Sequence, residues 1–168
     1  MKSTTFFNLA KPVETKERTF CYEEHSLGNW KTVDGFFING VLGDDGVYTS
    51  IDDIYTYDNA LQNQSIVSEE MYKLVFKPNS IALPKNVYQF SFLNNAEERY
   101  AMSWLVTEKI ALHTGSWNGT RIIIVKEFER PLTIAIFLNF ASTDTRTKLI
   151  EETHRLIDEY IKIPSNTR

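Results

Sequence analysis

His113-Thr114-Gly115-Ser116-Trp117-Asn118-Gly119-Thr120-Arg121 runs straight into the apolar stretch Ile122-Ile123-Ile124-Val125. After Lys126-Glu127-Phe128-Glu129-Arg130-Pro131 a second stretch follows, Leu132-Thr133-Ile134-Ala135-Ile136-Phe137-Leu138-Asn139. β-Branched and aromatic residues dominate both, and connections as short as Trp-Asn-Gly and Glu-Arg-Pro force antiparallel neighbours. Residues that are apolar at consecutive positions, not alternate ones, point to central strands covered on both faces. Working outward, strands are expected over 87–93, 100–106, 110–113, 121–128 and 132–140. From Thr145 to Ile161 the pattern becomes helical: Leu149, Ile150, Leu156, Ile157, Tyr160 and Ile161 line one side, and Ile163-Pro164 ends it. That helix is expected to cover one face of the sheet.

Upstream, a glycine-rich turn leads to Ser50, and Ser50-x-x-Asp53 is an acidic form of the capping box that opens a helix. Ile51, Ile54, Tyr57 and Leu61 recur at helical spacing and are expected to form its buried face. Ser68-Glu69-Glu70 opens a second helix, with Met71, Leu74 and Val75 as its apolar stripe and Lys77-Pro78 as its stop. The first stretch, through Asn39, reads as irregular, with a short strand over Thr19-Phe20-Cys21-Tyr22 and a turn at Gly28-Asn29 before Trp30. The expected fold class is α+β: an antiparallel β-sheet of three to five strands, a C-terminal helix packed on it, and a small helical pair at one end. One domain over 1–168 is expected, with 1–84 irregular plus helical and 85–168 holding the sheet and the C-terminal helix.

Composition narrows the function classes. With 168 residues, 42% of them apolar, the chain can bury one sizeable core but not two. Eighteen basic and 22 acidic residues are mixed along it, giving a net charge of −4, which argues against a phosphate-reading surface and against nucleic acid as a partner. Cys21 is the only cysteine and cannot close an internal disulfide or build a zinc site alone. No metal spacing links His25 and His154, and Asp52-Asp53 reads as favourable charge at a helix N-terminus, so no metal or other cofactor is expected. His25 and His154 lie among polar residues and are expected to be solvated. No run approaches the ~20 apolar residues of a membrane span. The opening MKSTTFFNLAKPV is broken by Asn8 and Lys11 before it could form a signal-peptide core, which leaves localisation open.

Segment 113–139, followed by an amphipathic helix, resembles the C-terminal part of the serine β-lactamase and penicillin-binding-protein family, in particular its esterase and D,D-peptidase-like members. Residues 43–61, GDDGVYTSIDDIYTYDNAL, are similar to that family's glycine-rich turn and following helix, and residues 100–106, YAMSWLV, to the strand before its third motif. MKSTTF and the Phe20-Cys21-Tyr22 region resemble the segment after the family's middle part. The resemblance thus covers almost the whole chain but only the second half of the family's catalytic domain. One departure is Asp45-Gly46, where members usually have two glycines.

The resemblance implies hydrolysis of amide or ester bonds through an acyl-serine, in β-lactams, D-alanyl peptides or small esters. That chemistry uses three motifs: Ser-x-x-Lys, Tyr-x-Asn or Ser-x-Asn, and Lys-Thr-Gly or His-x-Gly. No serine here has a lysine three positions on; Thr145-x-x-Lys148 has the spacing by chance, at the start of the last helix. Tyr57-Asp58-Asn59 satisfies the second motif only as a string, inside a helix, and Tyr57 reads as packing. His113-Thr114-Gly115 is the third motif. By resemblance, His113 gives hydrogen-bonding or positive character toward the substrate carboxylate and the tyrosine of the second motif, and the backbone N–H of Ser116 is one of two oxyanion donors. Thr114, Gly115, Trp117, Asn118 and Arg121 are the expected substrate-binding residues; Arg121 would pair with a substrate carboxylate, or else form an ordinary ion pair. Trp104 reads as core.

The nucleophile and the second oxyanion donor belong to the absent half, so the chain alone is expected to be inactive. The alternatives are a non-catalytic descendant that keeps a ligand pocket around His113, Ser116 and Trp117, or a dimerisation module. Without the other half a sheet edge and an apolar face are exposed, so self-association or pairing with a complementing chain is expected. A small-molecule or peptide substrate is expected if the missing half is supplied.

Overall fold

The structure, a computed structural model, describes residues 1–6, 18–33, 46–79, 83, 88 and 90–160. Strands β1 (Thr5–Phe6), β2 (Tyr22–Ser26), β3 (Asn29–Thr32) and β4 (Val47–Tyr48) make two antiparallel ladders, β1 with β4 and β2 with β3. Helices α1 (Ile51–Gln62) and α2 (Glu69–Val75) follow, then a 3-10 turn at Ser91–Leu93. The main sheet is β5 (Arg99–Tyr100), β6 (Leu105–Val106), β7 (Ile110–Trp117), β8 (Thr120–Glu127) and β9 (Thr133–Leu138), in that order and antiparallel throughout. Helix α3 (Thr143–Tyr160) closes the chain. The fold class is α+β, as the periodicities indicate.

Both expected helix starts are capped by serine: the Ser50 hydroxyl accepts from the Asp53 N–H and the Ser68 hydroxyl from that of Met71. Strand register sorts the sheet residues by face. Leu105, Leu112, Val125 and Ile134 stand in one row, and with Ile110 and Ile123 they are buried against Ile150 and Ile157 of α3 and against Phe90 and Leu93. Fully burying a side chain such as Ile150 contributes about 1.5–3 kcal/mol, so this layer is the main source of stability. On the other face, Val106 and Ala111 pack with Leu61, Phe76 and Ala101, and Val75, Tyr72 and Trp104 lie against them. Lys126 belongs to that face too; its Nζ lies 2.7 Å from Asp58 Oδ1 of α1.

Several expectations are corrected. The run 100–106 is not one strand. It folds back as the β5–β6 hairpin, Arg99 opposite Val106, with the Ala101 N–H donating to the Trp104 carbonyl and Ser103 at φ 64°. Of 87–93, residues 87 and 89 lie outside the described residues, and the described end is the 3-10 turn followed by Asn94 and Asn95 at positive φ. Ile51, Tyr57, Met71 and Leu74 are exposed; α1 buries Asp53 and Leu61, and Phe76, just past α2, takes the core position. Asp53 is buried because its carboxylate accepts from the Lys2 and Ser3 N–H groups and the Thr4 hydroxyl, tying the start of the chain to α1. The Thr4 bond, with those of Lys2 and Ser3, holds it below the usual carboxylate range against the opposing effect of burial.

In α3 the buried row is Arg146, Ile150, His154 and Ile157, while Leu149, Leu156 and Tyr160 are exposed; Ile161 lies outside the described residues. His154 is therefore not solvated. It is 5% exposed, stacks on Phe92 with ring centroids 4.1 Å apart, and burial pushes its pKa down.

Candidate functional site

The site expected from sequence lies on β7, and its geometry follows from where β6 ends. Strand β6 pairs only as far as Leu112, so from His113 to Trp117 the edge of β7 away from β8 has no strand on it among the described residues. The direction of each backbone group can be counted along the strand. Thr107 donates to the Ile110 carbonyl on the β6 side, and Phe128 donates to the Lys109 carbonyl on the β8 side. Alternation then turns the N–H and C=O of Thr114 and Ser116 toward the open edge, and those of His113, Gly115 and Trp117 toward β8. The Ser116 N–H is thus aimed off the sheet, where an acyl oxygen or an added strand could take it.

Side chains alternate as well. His113, Gly115 and Trp117 share the face that carries Trp104 and the helical pair, whereas Thr114 and Ser116 stand on the α3 face. His113 is half-buried: its Nδ1 lies 2.6 Å from the Ser103 carbonyl oxygen, and its ring meets Trp104 edge-on with centroids 6.0 Å apart. Trp104 in turn meets Phe76, which is buried between α2 and the sheet. The β5–β6 hairpin therefore orients the histidine.

Gly115 is required by its neighbour. A Cβ there would lie 2.7 Å from Ile122 Cγ1, so the Ile122 side chain lies across the glycine. Ile122 opposite Gly115 and Ile124 opposite His113 form an apolar wall on the histidine face, continued in β9 by Phe137 opposite Ile122. Phe137 is 38% exposed, and the two isoleucines are half-buried. The continuously apolar runs are thus covered on both faces only near the helical pair. Ile122 was not singled out from sequence, although the two-residue turn at Asn118-Gly119 fixes the register that sets it opposite Gly115.

The turn itself is docked on the β2–β3 ladder. Gly119 sits at φ 63°, a Cβ on it would be 2.5 Å from Val33 Cγ2, and its N–H donates to Glu23 Oε1. Asn118 is thereby held at the tip of the β7–β8 hairpin, one residue past Trp117. Arg121 is not brought to His113. It stands opposite Ser116, out of phase with the histidine; Nη1 donates to the Trp117 and Thr120 carbonyls and Nε to Thr143 Oγ1 at the start of α3. Among the described residues no group of three His, Cys, Asp or Glu side chains could hold a metal ion, and no helix is long and apolar enough to cross a membrane.

Comparison with protein-family models gives no match, and neither does comparison with curated proteins. Among solved structures, the chain is similar to a penicillin-binding protein from Bacillus halodurans, with a TM-score of 0.67 at 13% sequence identity over 92% of the chain. The fold is thus penicillin-binding-protein-like. The chain spans 44% of the length of that protein.

Proposed function

We propose that this chain is the C-terminal portion of a β-lactamase-like serine hydrolase domain, which presents the third-motif strand and needs a complementing stretch of polypeptide to supply the nucleophile. The observation that carries the reading is the open β7 edge, with the Ser116 N–H aimed off it and His113 beside it. In the completed site a serine from the other half attacks the substrate carbonyl, and the Ser116 N–H stabilises the developing oxyanion together with the nucleophile's own amide. Thr114 and Ser116 offer the backbone along which an amide or ester substrate lies, and Gly115 between them carries no side chain. Trp117 and Asn118 bound its far end. The substrate is a β-lactam, a D-alanyl peptide or a small ester.

The test combines intact mass and NMR on the purified chain. Incubation with a fluorescent penicillin and a chromogenic ester is expected to give neither adduct nor turnover, while millimolar acetyl-D-alanyl-D-alanine or ester shifts the amides of residues 114–117. A stoichiometric adduct would place a nucleophile within this chain and overturn the division of labour. Unmoved amides with every ligand would overturn the site.

A second reading is favoured by the half-buried wall of Ile122, Ile124 and Phe137: a non-catalytic binding or dimerisation module that covers this face with a second copy or a complementing chain. Light scattering at micromolar concentration tests the second-copy form of this reading, since a clean monomer excludes self-association.

A further inference from the structure

We infer that Ser103 is a positioning residue that fixes His113 in one tautomer, proton on Nδ1 and lone pair on Nε2, so that the site offers its ligand a hydrogen-bond acceptor. The inference rests on reading the β7 edge as a hydrolase half-site. A carbonyl oxygen has no proton to give, so the 2.6 Å contact between the Ser103 carbonyl and Nδ1 requires Nδ1–H to be the donor. In a neutral imidazole the other nitrogen is then the acceptor. Nε2, the nitrogen not engaged by Ser103, is then the basic one.

The hairpin is built to hold this contact. Ser103 sits at φ 64°, a region that residues with a Cβ rarely occupy, inside a turn closed by the Ala101 N–H on the Trp104 carbonyl at 2.8 Å. Its neighbour Trp104 meets the ring edge-on and is itself packed on buried Phe76. A ring gripped at Nδ1 and along one edge has little freedom to flip and exchange its nitrogens. The consequence is chemical selectivity at one atom: in the neutral ring Nε2 accepts from a hydroxyl or a protonated amine.

The experiment is long-range nitrogen–proton NMR of the histidine rings in the full chain, at a pH well above the ordinary histidine range, with His113 assigned from the spectrum of His113→Gln. The expected result is a protonated-type Nδ1 and an unprotonated-type Nε2. An Nε2–H form, or a rapidly averaged pair, overturns the inference. Ser103→Gly keeps the positive φ without a Cβ and is expected to leave the signature intact. Ser103→Pro forbids that φ and is expected to lose it. If the proline variant does not fold, Ser103→Val, which also disfavours positive φ, is read the same way. A folded proline or valine variant that retains the Nδ1–H signature refutes the role of Ser103. No turnover is needed, so the outcome is separable from that of the functional reading. A wrong tautomer with ligand-shifted amides at 114–117 refutes only this inference, and a correct tautomer with unmoved amides refutes only the other.

Discussion

Lys126→Met should be among the most damaging single substitutions in the sheet, although it replaces a charge with a well-packed apolar chain. Lys126 and Asp58 have side chains 4% and 16% exposed, with Nζ and Oδ1 2.7 Å apart, and this pair is the polar tie between β8 and α1. At an effective dielectric constant of about 20, two unit charges at that spacing attract by about 6 kcal/mol. Desolvation of each ion, at several kcal/mol, offsets most of it. Removing the lysine alone cancels the attraction but leaves Asp58 half-enclosed, its other oxygen accepting from the Gln62 amide. Breaking a buried pair costs about 3–5 kcal/mol, and since Asp58 keeps some contact with water, the low end, about 3 kcal/mol, is expected. For a chain of this size that corresponds to roughly 6–12 °C in Tm. The double variant Lys126→Met with Asp58→Leu removes both charges and should recover most of the loss. Urea unfolding followed by far-UV circular dichroism measures all three proteins. A single-variant cost below about 1 kcal/mol, or a double variant no better than the single, would show that the pair does not tie α1 to the sheet.

Other predictions follow from the same packing. Burial lowers the folded-state pKa of His154 below 6.5, so the folded chain binds fewer protons than the unfolded one; its contribution is complete above about pH 6.5 and is lost as pH falls from there toward the folded value, despite the pull of Glu127, Asp158 and Glu151. His154→Phe keeps the stack on Phe92 and should flatten the urea midpoint between pH 7 and pH 5, roughly the range in which histidine titrates. Asp53 is held below its ordinary 3.8 by Thr4, Lys2 and Ser3, so its contribution is present above that value and lost as pH falls through the lower folded one; Asp53→Ala should speed amide exchange at Lys2 and Ser3 even at neutral pH. Gly119→Ala meets Val33 and the Tyr22 nitrogen at positive φ and should cost on the order of 1–3 kcal/mol by thermal melt. Gly115→Ala should destabilise by a similar amount, about 1–3 kcal/mol, and Ile122→Ala in the same chain should relieve the clash, giving a non-additive double variant.

The parts of the fold readable from sequence are those set by local chemistry. Ser50 and Ser68 announce their helices because a hydroxyl that caps an N–H acts within three residues. The apolar runs of β8 and β9 and the stripe of α3 are long enough for their period to speak. Ser103 marks the limit. The turn it belongs to, Ala101-Met102-Ser103-Trp104, contains neither glycine nor an Asn-Gly pair, so the run looks like one strand; only the packing of Trp104 and Ala101 under α2 bends it. Asp53 and Tyr57 illustrate a second limit. Helical spacing ranks positions by hydrophobicity, yet α1 buries a carboxylate because the chain's first residues need an acceptor, and leaves the tyrosine in water. His154 was within reach: it falls four residues after Ile150 and three before Ile157, so reading those two as core already places it in their row.

The site repeats this division at the level of register. A motif read as a string treats His113, Thr114, Gly115, Ser116 and Arg121 as one cluster, but a strand sends alternate side chains to opposite faces and alternate backbone groups to opposite edges. Two distinct surfaces result. The edge presents backbone from Thr114 and Ser116, while the face presents His113, Trp117 and, from across the hairpin, Ile122 and Ile124. Arg121 is one position out of phase and works as a brace between the hairpin and α3. The residue that shares the histidine's face is the next one, Ile122, and what it adds there is apolar surface. On the proposed reading, a ligand on this strand would meet hydrogen-bonding backbone on one side and a hydrocarbon wall with a single imidazole on the other. The acyl part of the proposed amide or ester substrate would fit that pairing without requiring Arg121 to leave its three acceptors.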